Sequence, residues 1–84
     1  MKELYKFNNF TGKTKTYWFK DKIIIDQIVD QQDFTECFFN QVDIFNCDLL
    51  STSFGPSDLE SVTFKNCIFK NVSFTESDLV NVFF

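Results

Sequence analysis

The 84-residue sequence contains no histidine and no arginine, and its eight basic residues are all lysines. Without histidine it lacks the most common general base, proton shuttle and metal ligand. Without arginine it lacks the side chain that reads phosphate and guanine with two hydrogen bonds. Its 12 acids give a net charge of −4, which disfavours direct binding of nucleic acid. We therefore expect a binding protein that is not an enzyme, with no cofactor and no bound metal.

Cysteine, glycine and long apolar runs are also scarce. Three cysteines without CxxC spacing argue against a disulfide framework and against a zinc site. The longest aliphatic run, residues 23–25, is too short for the core of a signal peptide or for a transmembrane helix. These features predict a cytoplasmic protein of a bacterial host cell, with reduced thiols and no membrane partner.

Phenylalanine is abundant, with 13 residues, and most of it follows a five-residue repeat that begins at residue 31. The fourth residue of each pentad is Phe, Ile or Leu, and the residue two places earlier is small or β-branched at ten of eleven positions. A helix has a period of 3.6 and a strand a period of 2, so neither explains this spacing. Short extended steps joined by corners do, because the large and small residues then point inward together. The eleven large residues are Phe34, Phe39, Ile44, Leu49, Phe54, Leu59, Phe64, Phe69, Phe74, Leu79 and Phe84.

The pentads CDLLS, SDLES and SDLVN resemble the pentapeptide-repeat family, whose motif is roughly A(D/N)LXX centred on Leu or Phe. Here Cys, Val or Ser stands in the Ala position, and the resemblance covers residues 31–84 without a break. It implies an all-β fold, a right-handed quadrilateral parallel β-helix with four pentads per coil and about three coils. Such a coil stacks residues twenty apart, so we expect Cys47 and Cys67 to be stacked, buried and inert.

Two domains are predicted, an N-terminal cap of residues 1–29 and a pentapeptide-repeat β-helix of residues 30–84. Aromatic residues alternate on both sides of Gly12, which favours a capping hairpin with its turn there, followed by a lead-in strand. Ile24 and Val29 keep the five-residue phase, which favours a start of the coil near residue 21.

The charge is unevenly distributed along the chain. Residues 31–84 contain two lysines and eight acids, a net charge of −6, whereas residues 1–30 carry a net +2. On a twenty-residue coil, six of the acids fall on two neighbouring faces that have no lysine from the repeat. These acids either bond the corner backbone or form a surface that imitates the phosphates of a duplex. This acidic interaction face consists of Asp33, Glu36, Asp58, Glu60, Glu76 and Asp78.

Outward apolar residues define two further surfaces. An apolar side patch of Phe45, Leu50, Ile68 and Phe83 falls on the other two faces, where it marks a contact surface or is covered by residues 1–30. At the C-terminal end, a bare strand edge and exposed rings predict a homodimer with end-to-end coils; a tail lost from the sequence is the competing explanation. The residues of this dimer end are Leu79, Val82, Phe83 and Phe84.

The resemblance implies a function, since the pentapeptide-repeat proteins that are understood imitate duplex DNA and some protect DNA gyrase from inhibitors. The small size and acidity favour a DNA-mimic inhibitor of phage or mobile-element origin, such as an anti-CRISPR protein that occupies a basic DNA groove. One alternative is a gyrase-binding protection protein of the quinolone-resistance type. Another is a structural interaction scaffold that uses the apolar side patch. The expected partner is a protein with a basic nucleic-acid-binding groove, of the CRISPR effector or topoisomerase class, and not nucleic acid itself.

Overall fold

The structure is a computed structural model that describes residues 2–6, 12–13 and 18–84, and every regular element in these ranges is a β-strand. None of the described residues belongs to a helix that is long and apolar enough to span a membrane. The strands are β1 Glu3–Leu4, β2 Gly12–Lys13, β3 Trp18–Ile25, β4 Ile28–Asp30, β5 Gln32–Asp33, β6 Phe38–Phe45, β7 Asp48–Leu50, β8 Asp58–Lys65, β9 Ile68–Lys70 and β10 Asp78–Phe83.

The strands form parallel sheets that stack into a β-solenoid of about four turns. One sheet has five strands in the order β1-β3-β6-β8-β10, a second has the order β4-β7-β9, and β2 pairs with β5. From β3 onward, residues twenty apart pair with each other, as Phe38 does with Asp58 and Val42 with Val62. We call each such line of stacked residues a column. The predicted all-β solenoid is confirmed, and it has about four turns instead of three because β3 and β4 precede the repeat.

The core consists of phenylalanine columns that run along the solenoid axis. Phe34, Phe54 and Phe74 form one column, with ring centroids 5.1 Å and 5.0 Å apart and nearly parallel planes. Between columns the rings meet edge to face, as Phe34 and Phe39 do at 5.5 Å and 84°. Aromatic rings favour both arrangements over a face-to-face sandwich. The predicted ladder of buried rings is therefore present, and it extends one turn earlier, to Phe19, which stacks on Phe39 at 4.6 Å.

A residue with positive φ stands at the corner after almost every pentad and absorbs the turn that the five-residue period requires. The φ values of these corners lie between 47° and 65°. This left-handed region costs an L-residue about 1–2 kcal/mol, and Asn and Asp tolerate it best. The corner series is interrupted once, at Pro56, which follows a cis peptide bond. The corner residues are Asp21, Asp26, Gln31, Glu36, Gln41, Asn46, Ser51, Ser61, Asn66, Asn71, Glu76 and Asn81.

Residues near the N-terminus cover the first edge of the solenoid. The backbone N–H of Tyr5 donates to the carbonyl of Ile23 at 2.8 Å, and the Gln27 side-chain amide donates to the carbonyl of Tyr5 at 2.7 Å. The Tyr5 ring meets Phe19 edge-on at 5.2 Å, so it closes this end of the core. An ion pair of 2.8 Å between Lys2 and Asp43 also fastens this segment.

The predicted hairpin around Gly12 lies mostly outside the described residues and stays a prediction. Gly12 and Lys13 pair in parallel with Gln32 and Asp33, at the same twenty-residue offset as the rest of the solenoid. The division into a cap of residues 1–29 and a repeat domain is likewise still a prediction. Pairing at the twenty-residue offset is present at Gly12 and Lys13 and again from Trp18 onward, earlier than the start near residue 21 that the phase of Ile24 and Val29 favours.

Candidate interaction surface

Asp58 and Asp78 form the centre of the acidic interaction face. Strands β8 and β10 pair in register, which places the two aspartates side by side, as the sequence predicts. Both side chains are exposed, since their neighbours Leu59 and Leu79 take the inward positions. Neither aspartate forms an ion pair with a lysine among the described residues. The solenoid thus presents two adjacent carboxylates that no lysine in the described part of the chain neutralises.

The environment of Asp58 raises the pKa of its carboxyl above the ordinary value of 3.8. Partial desolvation is the largest cause, followed by the hydrogen bond with Asp78 and by repulsion from its charge. All three disfavour the ionised form. The ionised Asp58 carboxylate is therefore destabilised in the folded protein, and it is exposed to an approaching cation.

The other acids of this face divide into two groups. Glu36 and Glu76 are exposed corner residues that line, with Asp58 and Asp78, an open groove of about 310 Å³. Glu60 is exposed on β8 at the next outward position after Asp58.

Asp33 differs from these acids because its carboxylate forms hydrogen bonds within the chain. It accepts hydrogen bonds from the backbone N–H of Thr35, at 2.9 Å, and from the Thr35 hydroxyl. This half-buried residue serves its own corner, which is the structural alternative that the sequence left open for the acids.

Trp18 and Phe38 continue the line of Asp58 and Asp78 toward the N-terminal end. Trp18 pairs with Phe38, Phe38 with Asp58 and Asp58 with Asp78, so these four residues form one outward column. We call it the aromatic–acidic column. The Trp18 and Phe38 rings lie 5.2 Å apart at an angle of 52°, and Trp18 is 68% exposed. A second open groove, of about 390 Å³, runs along this column.

Sequence reasoning missed the contribution of Trp18 to this surface. It assigned Trp18 to a hairpin, although Phe19 lies five residues before Ile24 and so already carries the phase of the repeat. The added turn also brings Lys20 onto this side of the solenoid, in the column of Asn40, Glu60 and Val80. The two faces that carry the acidic interaction face therefore have no lysine within residues 31–84, but Lys20 lies on this side in the preceding turn.

The four residues of the apolar side patch lie on two different sheets. Phe45 and Phe83 belong to strands of the five-stranded sheet, and Leu50 and Ile68 to the three-stranded sheet. Ile68 and Phe83 are 59% and 63% exposed, whereas Phe45 and Leu50 are half-buried. None of the described N-terminal residues covers Ile68 or Phe83. The four side chains lie in four different columns, two of them exposed and two half-buried, and none pairs with another.

The predicted dimer end lies on the last strand, β10. Leu79, Phe83 and Phe84 are exposed, and Val82 is half-buried against the core. Phe84 stacks on Phe64 at 5.3 Å with an interplanar angle of 6°, yet 68% of its surface is exposed. The ring ladder therefore continues to an open apolar end.

The cysteines serve as small packing residues. Cys47 is buried, its thiol lies within hydrogen-bond distance of the carbonyls of Ile24 and Phe45, and burial raises the pKa of that thiol. Cys67 was expected to be equally buried but is only half-buried, because its column ends with it. Among the described residues, no group of three or more Cys, Asp or Glu could hold a metal ion.

Comparisons with known proteins add no family or relative to this picture. No protein-family model matches the sequence, and no match is found among curated proteins. What the molecule does must therefore be inferred from the surfaces described above.

The raised pKa of Asp58 predicts a pH-dependent effect of Asp58→Asn. Because the folded pKa exceeds the unfolded one, the contribution of Asp58 to stability is fully present below pH 3.8 and is lost as pH rises through the folded pKa. The free energy of unfolding of Asp58→Asn should therefore increase relative to wild type between about pH 3 and pH 7. Urea titrations across this range measure the difference.

Asp78→Asn and the double variant provide the control. If the two aspartates repel each other, the stabilisation in the double variant at neutral pH falls short of the sum of the single ones. Strict additivity would show that the pair is uncoupled.

Proposed function

We propose that the chain is a pentapeptide-repeat protein, a right-handed quadrilateral β-helix that acts in the cytoplasm without enzymatic activity. Two observations support this: the parallel pairing of residues twenty apart and the left-handed corner every fifth residue. Together they divide each turn into four pentads, as the family's motif requires. The buried large residue at the fourth position of each pentad fits the same family.

Within that family, we propose that this chain is a DNA-mimic inhibitor, an anti-defence protein of the anti-CRISPR kind. The observation that carries the proposal is the exposed Asp58–Asp78 pair without a lysine partner in the described residues. Neighbouring turns are about 4.8 Å apart, so the pair carries one negative charge per about 4.8 Å, the same order as the one charge per about 3.4 Å along a DNA strand. A basic groove of a CRISPR effector, or of a topoisomerase, would accept this column in place of a duplex. Glu36, Glu60 and Glu76 extend the negative potential around it.

Charge reversal tests this function. Asp58→Lys/Asp78→Lys should weaken inhibition of DNA binding by the purified effector at least about tenfold, because close charge pairs across interfaces contribute more than about 1.5 kcal/mol. A mobility-shift competition measures it, and raising the salt concentration should weaken the wild-type inhibitor. Running the same competition with gyrase distinguishes the two target classes.

The matched control is Asp30→Lys/Asp48→Lys, which changes the net charge equally but lies on the three-stranded sheet. It should keep most of the inhibition. Equal losses in both variants would mean that only total charge matters and would refute a specific acidic face.

A scaffold function is the second candidate, favoured by the exposure of Ile68 and Phe83 at 59% and 63%. Ile68→Ser/Phe83→Ser changes these exposed side chains without opening the core. If partner binding is lost in this folded variant and kept in Asp58→Lys/Asp78→Lys, the protein is a scaffold and the decoy proposal is wrong.

We also propose a homodimer in which the C-terminal coils of two copies stack end to end. The exposed apolar surface of Leu79, Phe83 and Phe84 and the outer edge of β10 support this contact. Sedimentation should give the mass of a dimer, and Leu79→Lys should return it to a monomer. Ile28→Lys is the control, since Ile28 is 70% exposed on another sheet. A wild type that stays monomeric at high concentration contradicts the dimer.

A further inference from the structure

The outer face of the five-stranded sheet combines aromatic rings and carboxylates in a single column. Trp18 and Phe38 make a ring pair at 5.2 Å, and Phe38 is in register with Asp58 on the next strand. Neighbouring strands of a sheet are about 4.8 Å apart. The ring of Phe38 and the carboxylate of Asp58 can therefore contact the same small group of a ligand.

A guanidinium group fits this combination. It is planar, it stacks on aromatic rings, and its fork of N–H donors pairs with a carboxylate through two hydrogen bonds. A lysine ammonium is a compact, strongly hydrated point charge, so it pairs with Asp58 but gains less from a neighbouring ring. A face with acids alone favours arginine only through these two hydrogen bonds, whereas a ring beside the acid pair adds stacking to that preference.

The surrounding residues determine which ring the cation meets. Lys20 is exposed two residues after Trp18 on β3, and it repels a cation at that end of the column. Asp58 and Asp78 attract the cation at the other end. Phe38 lies nearer to the aspartates than Trp18 does, at the end of the ring pair away from Lys20. It is therefore the ring on which a guanidinium stacks.

We propose that the aromatic–acidic column binds arginine side chains of a protein partner in preference to lysine, by stacking on Phe38 and pairing with Asp58 and Asp78. This inference rests on the proposed decoy function for the kind of partner, a protein with a basic groove. It adds that the groove residues in contact with this column are arginines. Charge complementarity and the ring pair of exposed Trp18 and half-buried Phe38 carry it.

The chain provides its own reporter, because Trp18 is its one tryptophan and is 68% exposed. Dye-labelled hexa-arginine and hexalysine are titrated with the full chain, and their affinities are measured by fluorescence anisotropy at low and at physiological salt. Hexa-arginine should bind about tenfold more tightly and should change the emission of Trp18. Equal affinity of the two peptides at both salt concentrations would overturn the proposal.

Two variants separate the ring from the charges. Phe38→Leu keeps the apolar character of this half-buried residue without the ring, so the fold is retained, and it should lower the arginine-to-lysine affinity ratio severalfold while leaving hexalysine binding unchanged. Asp58→Asn/Asp78→Asn should weaken both peptides. If Phe38→Leu leaves the ratio unchanged, the ring does not select the cation and the proposal fails.

The outcomes also separate this inference from the decoy function. Arginine preference in a protein that does not compete with DNA for any effector would refute the decoy and leave an arginine-binding surface. Inhibition without arginine preference would retain the decoy and refute the stacking. A change in Trp18 emission on concentrating the protein alone would place a second copy on this face and overturn the inference.

Discussion

Replacing Phe54 by alanine is expected to lower the free energy of unfolding by about 3–5 kcal/mol, a large fraction of the stability of the fold. Phe54 is 1% exposed and lies at the centre of the ring ladder, where it stacks between Phe34 and Phe74. It also contacts the rings of Phe39 and Phe64. A Phe→Ala change at such a site costs about 3–5 kcal/mol, while a domain of this length has a total stability of roughly 4–13 kcal/mol. Urea denaturation followed by circular dichroism measures the loss.

Phe83→Ala, measured in the monomeric Leu79→Lys background, is the matched control, because Phe83 is the same residue type but is 63% exposed on the outside of β10. A surface substitution of this kind changes stability by about 0.5 kcal/mol or less. Comparable losses in both variants would show that burial in the ladder does not determine the contribution of a ring.

Gly55→Ala is expected to have the second largest effect, because the turn spacing leaves no room for a side chain there. An added Cβ would lie 1.6 Å from the carbonyl oxygen of Thr75 and 2.7 Å from its carbonyl carbon. Both are main-chain atoms, so no side-chain rotation relieves the clash. On the opposite side, the Thr35 hydroxyl donates to the carbonyl of Gly55 at 2.9 Å. We expect a loss of about 3 kcal/mol, the upper part of the usual range for overpacking.

The test is a comparison of denaturation midpoints for Gly55→Ala and Ser53→Ala. Ser53 lies two residues earlier and bridges in parallel to Asp33 and Ser73 through its backbone. Its Cβ is already accommodated, so Ser53→Ala should stay within about 1 kcal/mol of wild type. A stable Gly55→Ala protein would mean that the last turns can move apart at little cost.

Most of the fold could be predicted from the sequence because every pentad repeats the same pattern of large and small residues. The large residue at the fourth position, the small one two places earlier and the twenty-residue columns follow from a single period. That is why the Phe34 column and the Asp58–Asp78 pair could be predicted without coordinates. These predictions depend on register alone, and parallel stacking fixes register strictly wherever one side of a strand is buried.

The features that were not predicted do not follow from the pattern of inward-facing residues. The earlier start of the coil was missed because Lys20 and Lys22 interrupt the repeat's composition, although Phe19 keeps its phase. Corner positions are marked by conformation and only loosely by residue type, since Gln, Glu and Ser stand beside Asn and Asp there.

The equivalence of the corners has a consequence for how such a chain can change its length. Deleting five residues would join one pentad to the next with every inward residue still inward, so the core pattern would survive. Every later residue, however, would move onto the neighbouring face, so a deletion between Asp58 and Asp78 would separate the two aspartates. A deletion of twenty residues would instead restore the original faces. Loss or duplication of a pentad therefore changes which residues share a surface face but preserves the pattern of the core. Such a chain can change its binding partners more rapidly than its fold.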